Sequence, residues 1–186
     1  MAKSTWWRVG WVSFSVWICG SAGLSGQLHQ PSLAGWEYAQ TRAYDETVGR
    51  ALALLPKRPK QQVVVIDAEK TPTALRQQLE RVEAFVMVGE PIVCLRMQGT
   101  VLKNAQRTGG LFDYALAATI WHEMAHIAGA DERAAQEQEE DLWRQFILGG
   151  RVDRSRALAY LRALKQRRWS DDATRGAAPQ SMEIAR

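Results

Sequence analysis

The chain has 186 residues with 24 Lys and Arg against 20 Asp and Glu, and its 46% apolar content is typical of a globular protein. A chain of this length predicts one domain with a processed or unstructured end. Its two cysteines exclude a disulfide-rich small fold and a metal module built from cysteine alone. The net charge of +4, without a nucleic-acid-binding motif, argues against a nucleic-acid partner.

The N-terminal residues have the pattern of an export signal. Lys3 and Arg8 are followed by a short apolar stretch without acidic residues, 9–18, and then by small residues at 20–23. The pattern predicts a signal peptide over 1–23, and hence a periplasmic or extracellular protein. The apolar stretch is shorter than the roughly 20 residues of a spanning helix, which favours a cleaved signal peptide. The alternative is an uncleaved N-terminus that anchors the protein to the membrane.

The next part of the chain mixes short helical and extended patterns. Residues 24–60 are predicted to hold a linker and an N-terminal helical segment, with an amphipathic helix over 44–55. Thr71 and Pro72 are typical of a helix start, and that helix is predicted to reach Glu83. Compact apolar runs predict three strands, of which the last two form a hairpin around Gly89-Glu90-Pro91: 62–67, 84–88 and 92–97.

The second half of the chain is predicted to be helical. It contains glycines at 109–110, at 129 and at 149–150, and helices commonly end at glycine. The predicted helices are 101–106, 111–128, 131–148 and 153–168. Residues 169–186 lack apolar periodicity and are predicted to be a disordered tail. The domain proper is therefore predicted over 61–168, with an α+β fold that is mostly helical and has a short sheet.

The predicted helix 111–128 carries a metal-binding motif. Residues 122–126 read His-Glu-Met-Ala-His, and the chain contains three histidines in total. Side chains at i and i+4 lie one turn apart on one helical face, so His122 and His126 can reach a single metal ion. Zinc suits two imidazoles and one carboxylate, which leave a fourth position open for water. Glu123 is then placed to take a proton from that water and to pass it to a leaving amine.

A site of this kind needs a third ligand, and an acid-rich stretch follows the motif. Glu132 comes soon after Gly129, in the first turn of the next predicted helix, so a chain reversal at Gly129 would bring it back over the metal. Glu139, two turns later on the same face, is the alternative ligand. Gln136 lies between them and cannot serve as an anionic ligand.

The run HEMAHIAGADERAAQEQEEDLW resembles the zincin metallopeptidases, in particular small glutamate-zincins in which the motif is followed by a helix that opens Glu-x-x-Ala. The resemblance implies a zincin-like catalytic domain with its sheet packed on the motif helix. It implies one zinc ion per chain, held by His122, His126 and Glu132, with Glu123 as the general base. The spacing also resembles the metzincin pattern, but Glu132 stands where that pattern has a third histidine.

These observations predict an exported zinc-dependent metalloendopeptidase that hydrolyses peptide bonds in a peptide or protein substrate. The alternative is a non-catalytic zincin-like module, tethered at the membrane, that uses its metal for structure or binding. Tyr160 is a candidate to stabilise the oxyanion, although the interpretation that it packs as an aromatic residue of the helical core is favoured. The strand predicted over 92–97 is a candidate edge strand for peptide binding, and a purely structural role is the alternative.

Overall fold

The computed structural model describes residues 17–18, 39, 41–71, 76, 79–80, 82–87 and 90–176, which form an α+β fold with helices layered on a small sheet. The strands are β1 (Trp17–Ile18), β2 (Gln62–Ile66), β3 (Ala84–Met87) and β4 (Ile92–Arg96). The helices are α1 (Arg42–Leu52), α2 (Thr100–Thr108), α3 (Leu111–Ile127), α4 (Glu132–Leu148) and α5 (Arg154–Gly176), and a 3-10 turn covers Ala68–Lys70. The predicted fold class is confirmed.

The strands are hydrogen-bonded in the order β1-β3-β4-β2. β3 and β4 pair antiparallel, with Phe85 opposite Cys94, so the predicted hairpin is confirmed. β2 runs parallel to β4 on its other side. The prediction that 92–97 forms an edge strand for peptide binding is therefore wrong, because β4 is bonded on both sides. A strand flanked in this way has its backbone groups already paired and offers none to a peptide.

The two faces of the sheet pack against different cores. Val65, Val93 and Leu95 belong to the main core, which also contains residues of α1 to α4. Phe85 and Cys94 belong to a smaller core with Leu79 and neighbouring residues. The alternation follows from the two-residue period of a strand, which sends successive side chains to opposite faces. Burial, and to a lesser extent the charge of Glu123, raises the pKa of the Cys94 thiol well above its usual range, as expected for an inert buried cysteine.

Helix α3 lies at the centre of the main core. Residues 115–120 of this helix are all buried, and it contacts α1, α2, α4 and β3. A helix that is apolar on most of its faces is stable only when neighbours surround it. Helix α1 also contributes Val48 and Ala51 to this core, so it packs on the same core as α3 and the sheet.

An arginine ties the start of α3 to its neighbours. Asp113, in the first turn of α3, lies 3.2 Å from the guanidinium of Arg50 on α1. The same guanidinium donates to the Ala105 carbonyl of α2 at 2.9 Å. The turn before α3 uses Gly109 and Gly110, both with φ near +60°, a backbone conformation that favours glycine. Three helices are thereby fixed at one corner of the domain.

The ends of the chain differ in how far the structure describes them. The helix predicted to end at residue 168 continues to Gly176, which shortens the predicted disordered tail; residues 177–186 lie outside the described part. Most of the predicted leader also lies outside the described part, although Trp17–Ile18 forms β1. The same holds for most of the helix predicted from Thr71 to Glu83, of which Arg76 and Leu79 are helical. Within the described residues, no helix combines the length and apolarity that crossing a bilayer requires.

Candidate metal centre

The two histidines of the motif face each other on the last turns of α3. Their Nε2 atoms are 3.0 Å apart, and each residue is 1% exposed. The rings meet nearly edge to face, with centroids 4.7 Å apart. This is the arrangement that the i, i+4 spacing predicts, and it directs one nitrogen of each ring to a common point.

The chain reverses immediately after the second histidine. Gly129 has φ of +92°, and hydrogen bonds from Gly129 N to His126 O and from Ala130 N to Ala125 O close the end of α3, both at 2.9 Å. A left-handed glycine with this bonding pattern is a common way to satisfy the last carbonyls of a helix. Asp131 then caps α4 by accepting from Ala134 N at 2.8 Å. The reversal places the first residue of α4 beside the histidines.

That first residue, Glu132, completes a group of three potential ligands. Its Oε2 atom lies 3.3 Å from Nε2 of His126 and 3.8 Å from Nε2 of His122. One donor atom from each of the three residues lies within 4.8 Å of the others. The histidines are buried whereas the Glu132 side chain is 28% exposed, so its side of the group is the more accessible one. His122, His126 and Glu132 can therefore hold a metal ion.

Glu139, the alternative ligand, contacts the opposite side of His122. Its Oε2 atom lies 3.3 Å from Nδ1 of His122, away from the Nε2 atoms that converge with Glu132. A carboxylate in this position accepts the Nδ1 proton of a ligating imidazole and leaves the Nε2 lone pair for the metal. The two glutamates therefore have different positions: Glu132 joins the three-residue group, and Glu139 contacts the outer nitrogen of one of its members.

His126 has a corresponding outer contact from the backbone. Its Nδ1 atom lies 3.0 Å from the carbonyl oxygen of Ala130, in the turn between α3 and α4. A carbonyl oxygen can only accept, so Nδ1 donates, and the neutral ring then has its lone pair on Nε2. The turn that brings Glu132 into place thus also orients His126.

The carboxylates change the acidity of His122. Burial alone lowers the pKa of this histidine, because it disfavours the charged imidazolium. Hydrogen bonds to Glu132 and Glu139, together with the charges of Glu139 and Glu123, outweigh burial and raise the pKa to about 10. In the metal-free protein His122 is therefore protonated at neutral pH. A metal ion that binds Nε2 must displace this proton.

Glu123, the predicted general base, is fully buried at 0% exposure beside His122 in the chain. Glu139 is also buried, at 6%. Three acidic side chains and two imidazoles are thus collected around the end of α3. Buried charges are stable in proteins when they are paired or coordinate a metal, so such a collection favours binding of a cation.

Tyr160, the candidate oxyanion stabiliser, packs in an aromatic cluster. Its ring lies 5.3 Å from that of Trp143 and 6.4 Å from that of Phe112, measured between centroids. Trp143 is fully buried on α4, one turn beyond Glu139. These contacts favour the alternative interpretation, in which Tyr160 is an aromatic residue of the helical core.

Two contacts of the centre were not predicted. The Ala130 carbonyl has no signature in the sequence, because any residue supplies a carbonyl. Gln136, considered only as a non-ligand, donates from Nε2 to Oε1 of Glu132 at 2.8 Å. The i, i+4 spacing of the two residues on a helix is the signal that could have indicated this contact.

Comparisons of the chain with known protein families, with curated proteins and with solved structures find no match. The resemblance to zincins therefore consists of the motif and the residues that follow it. What the centre does must be inferred from its own geometry.

Proposed function

We propose that this protein is a zinc-dependent metallopeptidase, exported as the leader pattern predicts, that acts on peptide or protein substrates. The supporting observation is the triangle of Nε2 of His122, Nε2 of His126 and Oε2 of Glu132, whose sides are 3.0, 3.3 and 3.8 Å. Zinc bonds of about 2.0–2.1 Å to nitrogen and oxygen, arranged tetrahedrally, separate neighbouring ligand atoms by about 3.3–3.4 Å. The three distances between the potential ligand atoms, from 3.0 to 3.8 Å, lie around this separation.

The composition of the triangle also favours a catalytic rather than a purely structural zinc site. Structural zinc sites generally use four protein ligands with several cysteines, whereas catalytic sites use three ligands and keep a fourth position open. Here two histidines and one glutamate form the group. When bound, zinc supplies a Lewis acid that polarises a peptide carbonyl and lowers the pKa of a water molecule.

The remaining chemistry falls to side chains of the protein. Glu123 accepts a proton from the attacking water and donates it to the nitrogen of the leaving amine, as a general base and then a general acid. Glu139 and the Ala130 carbonyl hold the two imidazoles with Nδ1 protonated, so that each Nε2 remains a ligand. The group lies at the end of α3, in the turn that follows and in the first half of α4, elements already fixed by the core.

The complete burial of Glu123 supports a second candidate function, a non-catalytic module that binds metal. A general base for a peptide must be reached by water and by the scissile bond, and a carboxylate without exposed surface requires an opening of the site for that. In this candidate the same three residues hold the metal for structure or for binding a partner.

A Glu123→Gln variant distinguishes the two candidates. We expect purified protein to contain one zinc per chain by mass spectrometry of metals, and the variant to retain it while losing peptide cleavage by more than about 100-fold. Cleavage is measured by mass spectrometry on a mixture of unfolded polypeptides.

The matched control is Glu137→Gln, at an exposed carboxylate on α4 that pairs with Arg133. It should cleave like the unaltered protein. Zinc-loaded protein that cleaves no polypeptide would contradict the peptidase and favour the second candidate. Protein that takes up no zinc would contradict both.

A further inference from the structure

The two oxygens of the Glu132 carboxylate have different surroundings. Oε2 is buried and faces the two histidine nitrogens at 3.3 and 3.8 Å. Oε1 accepts a hydrogen bond of 2.8 Å from the amide of Gln136. The side chain is therefore held in one orientation, with one oxygen toward the metal-binding group and the other turned to its own helix.

The helix makes this contact possible. Gln136 lies one turn after Glu132 on α4, and long side chains on a helix point back toward its N-terminus. The Gln136 amide therefore reaches the carboxylate of the residue four positions earlier. Without such a contact, a glutamate in a first helical turn keeps much of its rotamer freedom, and ordering it on binding has an entropic cost.

We propose that Gln136 is a positioning residue that presents Glu132 to the metal through Oε2 alone. This inference depends on the proposed zinc site and extends it to the geometry of the third ligand. With Oε1 engaged by the amide, the carboxylate binds through one oxygen, and the fourth position stays open for water. A glutamate that bound through both oxygens would add a further ligand beside that water and raise the coordination number.

The neutral amide suits this position better than a charged group. Glu123, Glu132 and Glu139 already bring three acidic side chains to the centre. A carboxylate at position 136 would repel Glu132 and could not donate to it, except when protonated. A lysine would donate, but its positive charge beside the ligand would compete with the metal ion. An amide donates without adding charge of either sign.

The test uses Co²⁺ as the probe, because the intensity of its visible absorption bands is high in four-coordinate sites and low in five-coordinate ones. We expect Gln136→Met, which keeps the length but removes the donor, to bind Co²⁺ and Zn²⁺ about tenfold more weakly in chelator competition. We also expect weaker Co²⁺ bands, because the released carboxylate can bind through both oxygens. The matched control is Gln138→Met, at an exposed glutamine of the same helix, which should change neither measurement.

The outcomes separate this inference from the proposed function. If the unaltered protein binds metal and Gln136→Met has the same affinity and the same Co²⁺ spectrum, the role of Gln136 is refuted while the metal site stands. If the unaltered protein binds neither Co²⁺ nor Zn²⁺, both are refuted. If circular dichroism shows that Gln136→Met does not fold, Gln136→Glu replaces it. An unchanged Co²⁺ spectrum in Gln136→Glu at pH 8 would also refute the inference.

Discussion

The inner face of α4 has two halves with opposite chemistry. Its first half directs the carboxylates of Glu132 and Glu139 toward the histidines of α3. Its second half buries Leu142, Trp143 and Phe146, each 2% exposed or less. One helix thus combines a polar part, in which burying charge is unfavourable without a cation, and an apolar part that contributes stability. The apolar half therefore fixes the position of α4, and this places the carboxylates of the polar half for binding.

The apolar half is held by aromatic contacts. Phe146 packs edge to face on Tyr114 of α3 with centroids 4.9 Å apart, and Trp143 contacts both Phe146 and Tyr160. Such pairs add to the energy of burial because the ring edges and faces have complementary charge distributions. Helices α3, α4 and α5 are joined through these rings.

The largest effect is expected from Trp143→Ala. Removing a fully buried indole leaves a cavity, and we expect the free energy of unfolding to fall by about 3–5 kcal/mol in denaturant titrations. Trp121→Ala is the control, because Trp121 is only partly buried, with the Lys57 ammonium 5.7 Å from its ring centroid, and should lose less. A loss below about 1 kcal/mol for Trp143→Ala would contradict the stabilising role of the apolar half.

Next in size is the effect of Glu132→Ala on metal binding. Removing one of three ligands should weaken zinc binding by more than about 100-fold, beyond the 10–100-fold typical of outer contacts. The carboxylate also pairs with a buried histidine, so we expect the free energy of unfolding of the metal-free protein to fall by about 1–3 kcal/mol. Chelator competition and denaturant titration measure the two quantities. A large loss of stability with unchanged zinc affinity would mean that Glu132 stabilises the fold and does not bind the metal.

A smaller effect is expected from Glu139→Gln. The amide oxygen can still accept from Nδ1 of His122, but the negative charge is lost, so zinc affinity should fall about tenfold. Glu140→Gln is the matched control, since that neighbouring carboxylate pairs with Lys165 and Arg144 and does not form part of the centre. If Glu139→Gln weakened zinc binding more than Glu132→Ala, Glu139 would be the better candidate for the third ligand.

A further effect is expected in the pH dependence of the metal-free protein. The pKa of His122 is raised from 6.5 to about 10, so its imidazolium stabilises the fold fully below about pH 6.5 and this contribution is lost as the pH rises toward 10. Thermal unfolding between pH 6 and 10 should show a falling melting temperature, and Glu139→Gln should show a shallower fall. A flat profile in the unaltered protein would contradict the raised pKa.

Much of this architecture was predictable from local spacing. The hairpin of β3 and β4 follows from two apolar runs around a turn, and the helices α3 and α4 follow from segments bounded by glycines; both signals need only neighbouring residues. The facing histidines follow for the same reason. The extension of α5 to Gly176 was not predicted, because a polar helix end lacks the apolar periodicity on which the prediction depends.

The sequence alone predicts that His122 and His126 lie on one helical face and that a glycine turn follows them. Only the tertiary structure decided which glutamate joins them, that β4 is an interior strand, and that Tyr160 packs among aromatic rings. The physical reason is distance along the chain: i, i+4 contacts are fixed by the helix itself, whereas the angle between α3 and α4 depends on the packing of the whole core.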